Sequence, residues 1–242
     1  MEIIILIKLF LAHILTDFVL QPNSWVDKKN SDGIKGYHFW IHSFLAGFLT
    51  YILLANWTSF EVPVTIFILH AIIDYSKIKL SINKTDETKQ ILFFLDQAVH
   101  LIVILAAWLY IINGFSLIIP FFENIFTNIK ILSFIVAFIF ITIPAGIIIG
   151  KITDPFQNQI DNSDGLAKAG IYIGITERIL IFIFVIIGQY AAIGLLIAGK
   201  SILRVTKDND NNGRKKTEYI LIGTLISFTI AIITGLFVKA II

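Results

Sequence analysis

The chain is 242 residues long, 57% hydrophobic and only 15% charged, with a mean hydropathy of +0.84 and a formal net charge of +2. A soluble domain of this length needs far more charge on its surface, so these values exclude one. Cysteine is absent, which removes disulfides, thiolate metal ligands and cysteine nucleophiles from consideration. The apolar residues gather into runs of roughly 17 to 25, the length that crosses about 30 Å of hydrocarbon. The chain reads as an integral membrane protein.

The first apolar run, 2–20, has no basic leader and no small-residue cleavage site, and it carries His13 and Asp17. It reads as a retained helix instead of a secretion signal. Helices follow near 38–57, 62–80 and 90–112. The stretch 115–129, with Pro120 and Glu123, reads as an amphipathic segment lying on the surface. Further helices fall near 130–150, 170–188, 190–204 and 218–240, with a turn at Gly188-Gln189. The seventh, at about 21 Å, is short enough to be re-entrant. The expected fold is an all-α, polytopic integral membrane helix bundle of about seven to eight transmembrane or re-entrant helices. It is read as one membrane domain over 1–242: a four-helix half at 1–112, the surface stretch at 113–129, and carboxyl-terminal helices at 130–242.

Basic residues fix an expected orientation. The first loop holds Lys28, Lys29 and Lys35, and the third holds Lys77, Lys79, Lys84 and Lys89. The stretches 56–61 and 113–128 hold neither Lys nor Arg. Cytoplasmic loops are enriched in both, so the amino terminus is expected outside, in a bacterial inner membrane.

The polar residues inside these helices carry the functional signal. His13/Asp17, His38/His42, His70/Asp74 and Asp96/His100 are each spaced i, i+4, so each pair shares a helix face. Ionisable groups in lipid are costly and face a bundle interior or a watery cavity. Counted from the cytoplasmic helix ends, Asp17, His42, Asp74 and Asp96 lie about 6 to 9 Å deep, and His13, His70 and His100 about 12 to 15 Å. Four helices therefore bring polar heads to one slab. Imidazole with carboxylate suits a divalent transition metal, zinc or manganese foremost and iron as well. The candidate ligands are His13, Asp17, His42, His70, Asp74, Asp96 and His100, with Gln21 and Gln97 as hydrogen-bonding partners. His38 begins its helix and is the weakest member. The set exceeds the needs of one zinc, so it serves either two ions or one ion with supporting groups. Asp17 or Asp96 is the expected general base. Two other readings stay open: a proton or ion relay, and interhelical hydrogen bonding alone.

A second polar group comprises Glu177, Arg178, Lys200 and Arg204, a candidate pocket for a phosphate or lipid headgroup. Its competing reading is snorkelling lysine and arginine, with Arg178 neutralising Glu177. The run Asp208-Asn-Asp210-Asn-Asn212-Gly213 begins like a calcium loop but has Tyr219 at the twelfth position. It reads as solvated loop, as do Asp154, Asp161 and Asp164. No glycine-rich phosphate loop, serine nucleophile elbow or nucleic-acid module is visible.

At His13-x-x-x-Asp17-Phe18-x-x-Gln21, Trp25, Lys28-Lys29, His42, His70-x-x-x-Asp74-Tyr75-x-Lys77 and Phe94-x-Asp96-Gln97-x-x-His100, the chain resembles the bacterial membrane-protein family known as domain of unknown function 3307. Gly174-x-x-Glu177-Arg178, Gly188-Gln189, Gly194 and Lys200-Ser201 look similar too. The resemblance implies a family without an activity. From the residues, the expected function is a metal-dependent hydrolase of a lipid-linked or amphipathic, phosphate-bearing substrate reached from the cytoplasmic half of the bilayer. The alternatives are an ion- or proton-coupled transporter and a structural subunit.

Overall fold

The computed structural model describes residues 2–157, 169–202 and 211–242. Among them every regular element is helical. By contacts the chain divides into two compact units, 1–119 and 120–242.

In the first unit, α1 (Glu2–Ile14) passes into a π turn at Leu15–Val19. The chain then bends by 85° into α2 (Asn23–Asp32), which ends in a short turn at Gly33–Lys35. Pro22 has extended backbone at the start of α2 and makes a natural helix entry. This region, expected as loop, is helix, although Trp25 and Val26 are its only apolar residues. Gly33, at φ +57°, closes α2 in a backbone region that other residues rarely enter.

Next come α3 (Tyr37–Leu54), α4 (Glu61–Ser81) and α5 (Asp86–Ile111). α5 starts four residues before its expected boundary at 90, because Thr85 caps it by accepting the Thr88 N–H and acidic Asp86 and Glu87 occupy its first turn. α3 packs on α1 and α4, α4 on α5, and α5 returns to α1, so the four helices close into a ring.

Inside that ring Leu9, Ala46, Ile66 and Ile104 form an apolar layer. Each stands four residues from a histidine: His13, His42, His70 and His100. At i, i+4 spacing the apolar layer therefore lies one helical turn from a histidine layer. At Gly47 a Cβ would stand 2.7 Å from the Pro63 carbonyl oxygen and 2.9 Å from Phe67 Cβ. Glycine here lets α3 and α4 meet backbone to backbone, five residues from His42 on one helix and seven from His70 on the other.

The second unit holds α6 (Ile118–Thr127, with its first two residues on the other side of the boundary), α7 (Ile129–Gln157), α8 (Ala169–Ile186), α9 (Tyr190–Ile202) and α10 (Asn211–Ile241). α10 packs on both α7 and α8, which also touch each other, and α9 folds back on α8. The expected turn at Gly188-Gln189 is present, with Gly188 at φ +74°. α6, the expected surface stretch, has no buried residue.

Among the described residues five helices are long and apolar enough to cross a membrane: α3, α5, α7, α8 and the Thr217–Ile241 part of α10. The bent pair of α1 and α2 makes a sixth if counted as one span. In these windows only 17–39% of residues are buried, so most apolar side chains face outward. Meanwhile His42, Ser43, Thr16 and Asp74 are almost fully enclosed. Apolar outside and polar inside is the arrangement of a helical membrane protein. α4 has the length, but Asp74, Lys77 and Lys79 make it too charged for the set.

Gly47→Val places a branched side chain against the Pro63 carbonyl and is expected to destabilise the fold by about 1–3 kcal/mol or more. A thermal melt in detergent beside Gly150→Ala, where a Cβ meets nothing within 4 Å, separates packing loss from an ordinary glycine replacement.

Candidate metal centre

α1 and its π turn contribute His13 and Asp17, α3 His42, α4 His70 and Asp74, and α5 Asp96, Gln97 and His100. All seven sequence-predicted ligands meet inside the ring of the first unit. The π turn sits at Asp17, and such one-residue expansions re-aim the side chains they carry.

Two imidazoles define the centre. His42 Nε2 and His70 Nε2 lie 3.0 Å apart. Asp17 Oδ1 is 3.5 Å from each of these nitrogens. Asp74 Oδ2 approaches from the other side, 3.3 Å from His42 Nε2 and 3.7 Å from His70 Nε2. Ligands bound tetrahedrally at 2.0–2.1 Å are separated by about 3.3–3.4 Å. Five of the separations among these two nitrogens and two oxygens, 3.0–3.7 Å, scatter around that value, so the four atoms are a candidate ligand set for one cation.

His100 and Asp96 form an adjoining corner. His100 Nε2 is 3.8 Å from Asp74 Oδ1 and 3.7 Å from Asp96 Oδ1. His13 lies further round the ring, its Nε2 3.2 Å from Gln97 Oε1 and its Nδ1 3.8 Å from Asp17 Oδ2. The imidazoles form a chain, with centroids 4.9 Å apart from His42 to His70, 4.3 Å to His100 and 5.3 Å to His13. A cavity of about 20 Å³, enough for one water, lies between His13, His70, His100 and the apolar layer.

Two lysines complete the cluster, and sequence reasoning missed both as members. Lys29 of α2, 5% exposed, donates to Asp74 Oδ2 at 2.8 Å. Lys77 donates to Asp96 Oδ2 at 2.9 Å. Lys77 stands at i+3 from Asp74, a spacing that marks it as facing the ring. No comparable signal exists for Lys29, the one buried residue of a polar helix. Gln97, anticipated as a partner, donates to Asp17 Oδ2 and Asp96 Oδ2 at 3.3 Å each. Gln21 does not act as expected: beside the 85° bend, its Nε2 makes no hydrogen bond. His38 stacks on Tyr37 at 3.9 Å and meets Trp25 edge-on, apart from the cluster.

Four buried atoms of the cluster make no hydrogen bond: Asp17 Oδ1, Asp96 Oδ1, His100 Nε2 and His42 Nδ1. Buried polar atoms are nearly always partnered, because an unmet one costs about 1–3 kcal/mol. The first three lie within 3.5–3.8 Å of other candidate ligand atoms, whereas His42 meets its neighbours through Nε2 and not through Nδ1.

In the second unit Lys200 pairs with Glu177. Arg178, 4% exposed, donates to the carbonyls of Ile141 and Thr142 and, at 3.4 Å, to Ser227 Oγ. It is thus Lys200, and not Arg178, that hydrogen-bonds Glu177. A cleft of about 1410 Å³ opens beside all three. Arg204, Asp161, Asp164 and positions 208 and 210 of the calcium-like run lie outside the described residues. Asp154 pairs with Lys151 at 3.4 Å.

A family model described as protein of unknown function, DUF3307, matches residues 5–127, half of the chain. The chain belongs to the DUF3307 family. The DUF3307 stretch contains all seven candidate ligands together with Lys29, Lys77 and Gln97. The carboxyl-terminal motifs at Glu177-Arg178 and Lys200 lie outside it. No curated protein and no solved structure matches the chain.

Lys29→Met strips Asp74 of its ammonium partner inside the ring. In chelator-treated protein it is expected to cost about 3–5 kcal/mol, as breaking a buried pair does. Lys89→Met, from an exposed pair with Asp86 at 3.6 Å, is expected to melt like the wild type. Equal melting of the two variants would show that the Lys29 pair is not structural.

Proposed function

We propose that the first unit holds a divalent transition metal, zinc or manganese, between His42, His70 and Asp74, and uses it for hydrolysis of a lipid-linked phosphoester. The observation that carries the metal is the convergence of His42 Nε2, His70 Nε2 and Asp74 Oδ2 within 3.0–3.7 Å of one another, with Asp17 Oδ1 buried and unpartnered 3.5 Å from both nitrogens. Helix adhesion alone would favour paired groups, and a single proton shared by His42 and His70 leaves Asp17 Oδ1 unmet.

The residues divide the work. His42, His70 and Asp74 supply three ligands, the number a catalytic zinc site uses while keeping one position open. A divalent ion there supplies an acidified water and polarises a phosphoryl oxygen. Asp17 stands at the open corner, with Oδ2 held by Gln97, and serves as general base through Oδ1. Lys29 fixes the orientation of Asp74, as supporting hydrogen bonds do for metal-bound carboxylates. In the second unit Arg178 donates to Ile141, Thr142 and Ser227, and Lys200 donates to Glu177.

The membrane setting selects the substrate class. With α4 counted as a span, α1 as another and α9 as a short re-entrant limb, the chain has eight membrane segments, an outside amino terminus and an inner-membrane location. The centre then opens toward the cytoplasmic half of the bilayer, where α2 covers it with a polar helix. An amphipathic molecule with an anionic head reaches such a depth by lateral entry.

A second reading rests on the imidazole chain from His42 to His13 and the one-water cavity beside it. These suit proton transfer in a coupled carrier. Proteoliposomes that move protons without bound metal would favour it.

Elemental analysis of detergent-purified protein is expected to find at least about one equivalent of zinc or manganese, absent from His70→Ala/Asp74→Ala. Asp17→Asn is expected to retain metal and lose about 10²–10⁴-fold in turnover across a screen of lipid phosphoesters. A wild type without metal after loading with Zn²⁺ or Mn²⁺ would overturn the metal reading.

A further inference from the structure

We infer that the cluster takes a second divalent cation between Asp74, Asp96 and His100, with Asp74 bridging the two ions. This rests on the first ion proposed above.

The two oxygens of the Asp74 carboxylate face different partners. Asp74 Oδ2 faces the His42/His70 pair, while Oδ1 faces His100 Nε2 at 3.8 Å. Asp96 Oδ1 stands 3.7 Å from that same nitrogen. The three residues offer ligand atoms within 4.8 Å of one another, and all three are buried. Two carboxylate oxygens at 3.7–3.8 Å from one imidazole nitrogen leave room between them for a divalent ion.

Independent of spacing, two of the donors are unmet. Asp96 Oδ1 and His100 Nε2 make no hydrogen bond, although their residues are only 5% and 3% exposed. The other oxygen of Asp96 is occupied by Lys77 and Gln97, which turn Oδ1 toward His100. Aspartate held by one oxygen and aimed with the other is a common way of presenting a ligand. A carboxylate bridging two ions is compatible with the separation of about 3.5–4 Å at which paired ions act on one phosphoryl group.

Charge sets a condition on the second ion. Asp17, Asp74 and Asp96 with Lys29 and Lys77 leave one net negative charge when the imidazoles are neutral. One divalent ion reverses it, and two leave three positive charges. A site so charged at membrane depth requires an anion, and a phosphoryl group bridging both ions meets that need. Asp96 thereby becomes a ligand, leaving Asp17 as the base.

The test is Mn²⁺ titration of chelator-stripped, detergent-purified protein, read by bound metal and by electron paramagnetic resonance. Wild type is expected to bind about two equivalents with the broadened spectrum of a coupled pair. His100→Ala and Asp96→Asn are expected to bind about one, with the six-line spectrum of an isolated ion. Wild type saturating at about one equivalent with an uncoupled spectrum overturns the second site and leaves the first standing. The same holds if either variant keeps the coupled pair. Failure to bind Mn²⁺ or Zn²⁺ at all removes both. If His100→Ala does not fold, Asp96→Asn and the wild-type stoichiometry still decide.

Discussion

Three carboxylates enclosed by four apolar helices set the terms for the whole first unit. Charge in lipid is tolerated only where it is partnered, and every element of the unit supplies a partner. α2, polar and unsuited to cross a membrane, delivers Lys29 to Asp74. α4 delivers Lys77 to Asp96 of the next helix, while α5 delivers Gln97 to Asp17 and Asp96. The ring of helices, the π turn and the 85° bend follow from that requirement. They are the geometry by which groups distant in sequence reach one another.

The unit is layered accordingly. Leu9, Ala46, Ile66 and Ile104 pack one turn away from the histidines, and Gly47 lets α3 and α4 close to backbone contact. The apolar layer stiffens the backbone beneath the ligands, so their spacing is set by helix packing. Metal sites in helical bundles are generally built on facing helices in this way. The second unit uses its buried Arg178 differently, donating to two carbonyls of α7 and to Ser227 of α10. That guanidinium ties together α8 and its two neighbours.

Much of this was legible in the sequence. Apolar runs marked the helices, because a 20-residue hydrophobic run has few alternatives, and the i, i+4 spacing put His13, Asp17, His70, Asp74, Asp96 and His100 on inward faces. Their matching positions along the four helices let them share one level, where they meet. What stayed hidden is equally physical. α2 has only Trp25 and Val26 as apolar residues and resembles loop, so neither its helicity nor the burial of Lys29 leaves a trace in periodicity. Lys77 sat in a basic loop-proximal run where charge reads first as orientation. Gln21 looked like a ligand's companion by proximity, but the chain turns beside it and its amide makes no hydrogen bond. Pairing across helices is the part that periodicity along one helix does not encode.

The Lys29–Asp74 pair also imposes an order of assembly. The two residues are 45 positions apart, and at about 5–20 residues per second Asp74 emerges roughly 2–9 seconds after Lys29. During that interval α1 can insert, but α2 has no carboxylate to enter against, and an unpaired ammonium stays in water. Lys29 therefore meets its carboxylate only after α4 has been made, and Lys77 meets Asp96 only after α5. A chain interrupted after α3 would hold Lys29 without the carboxylate it pairs with.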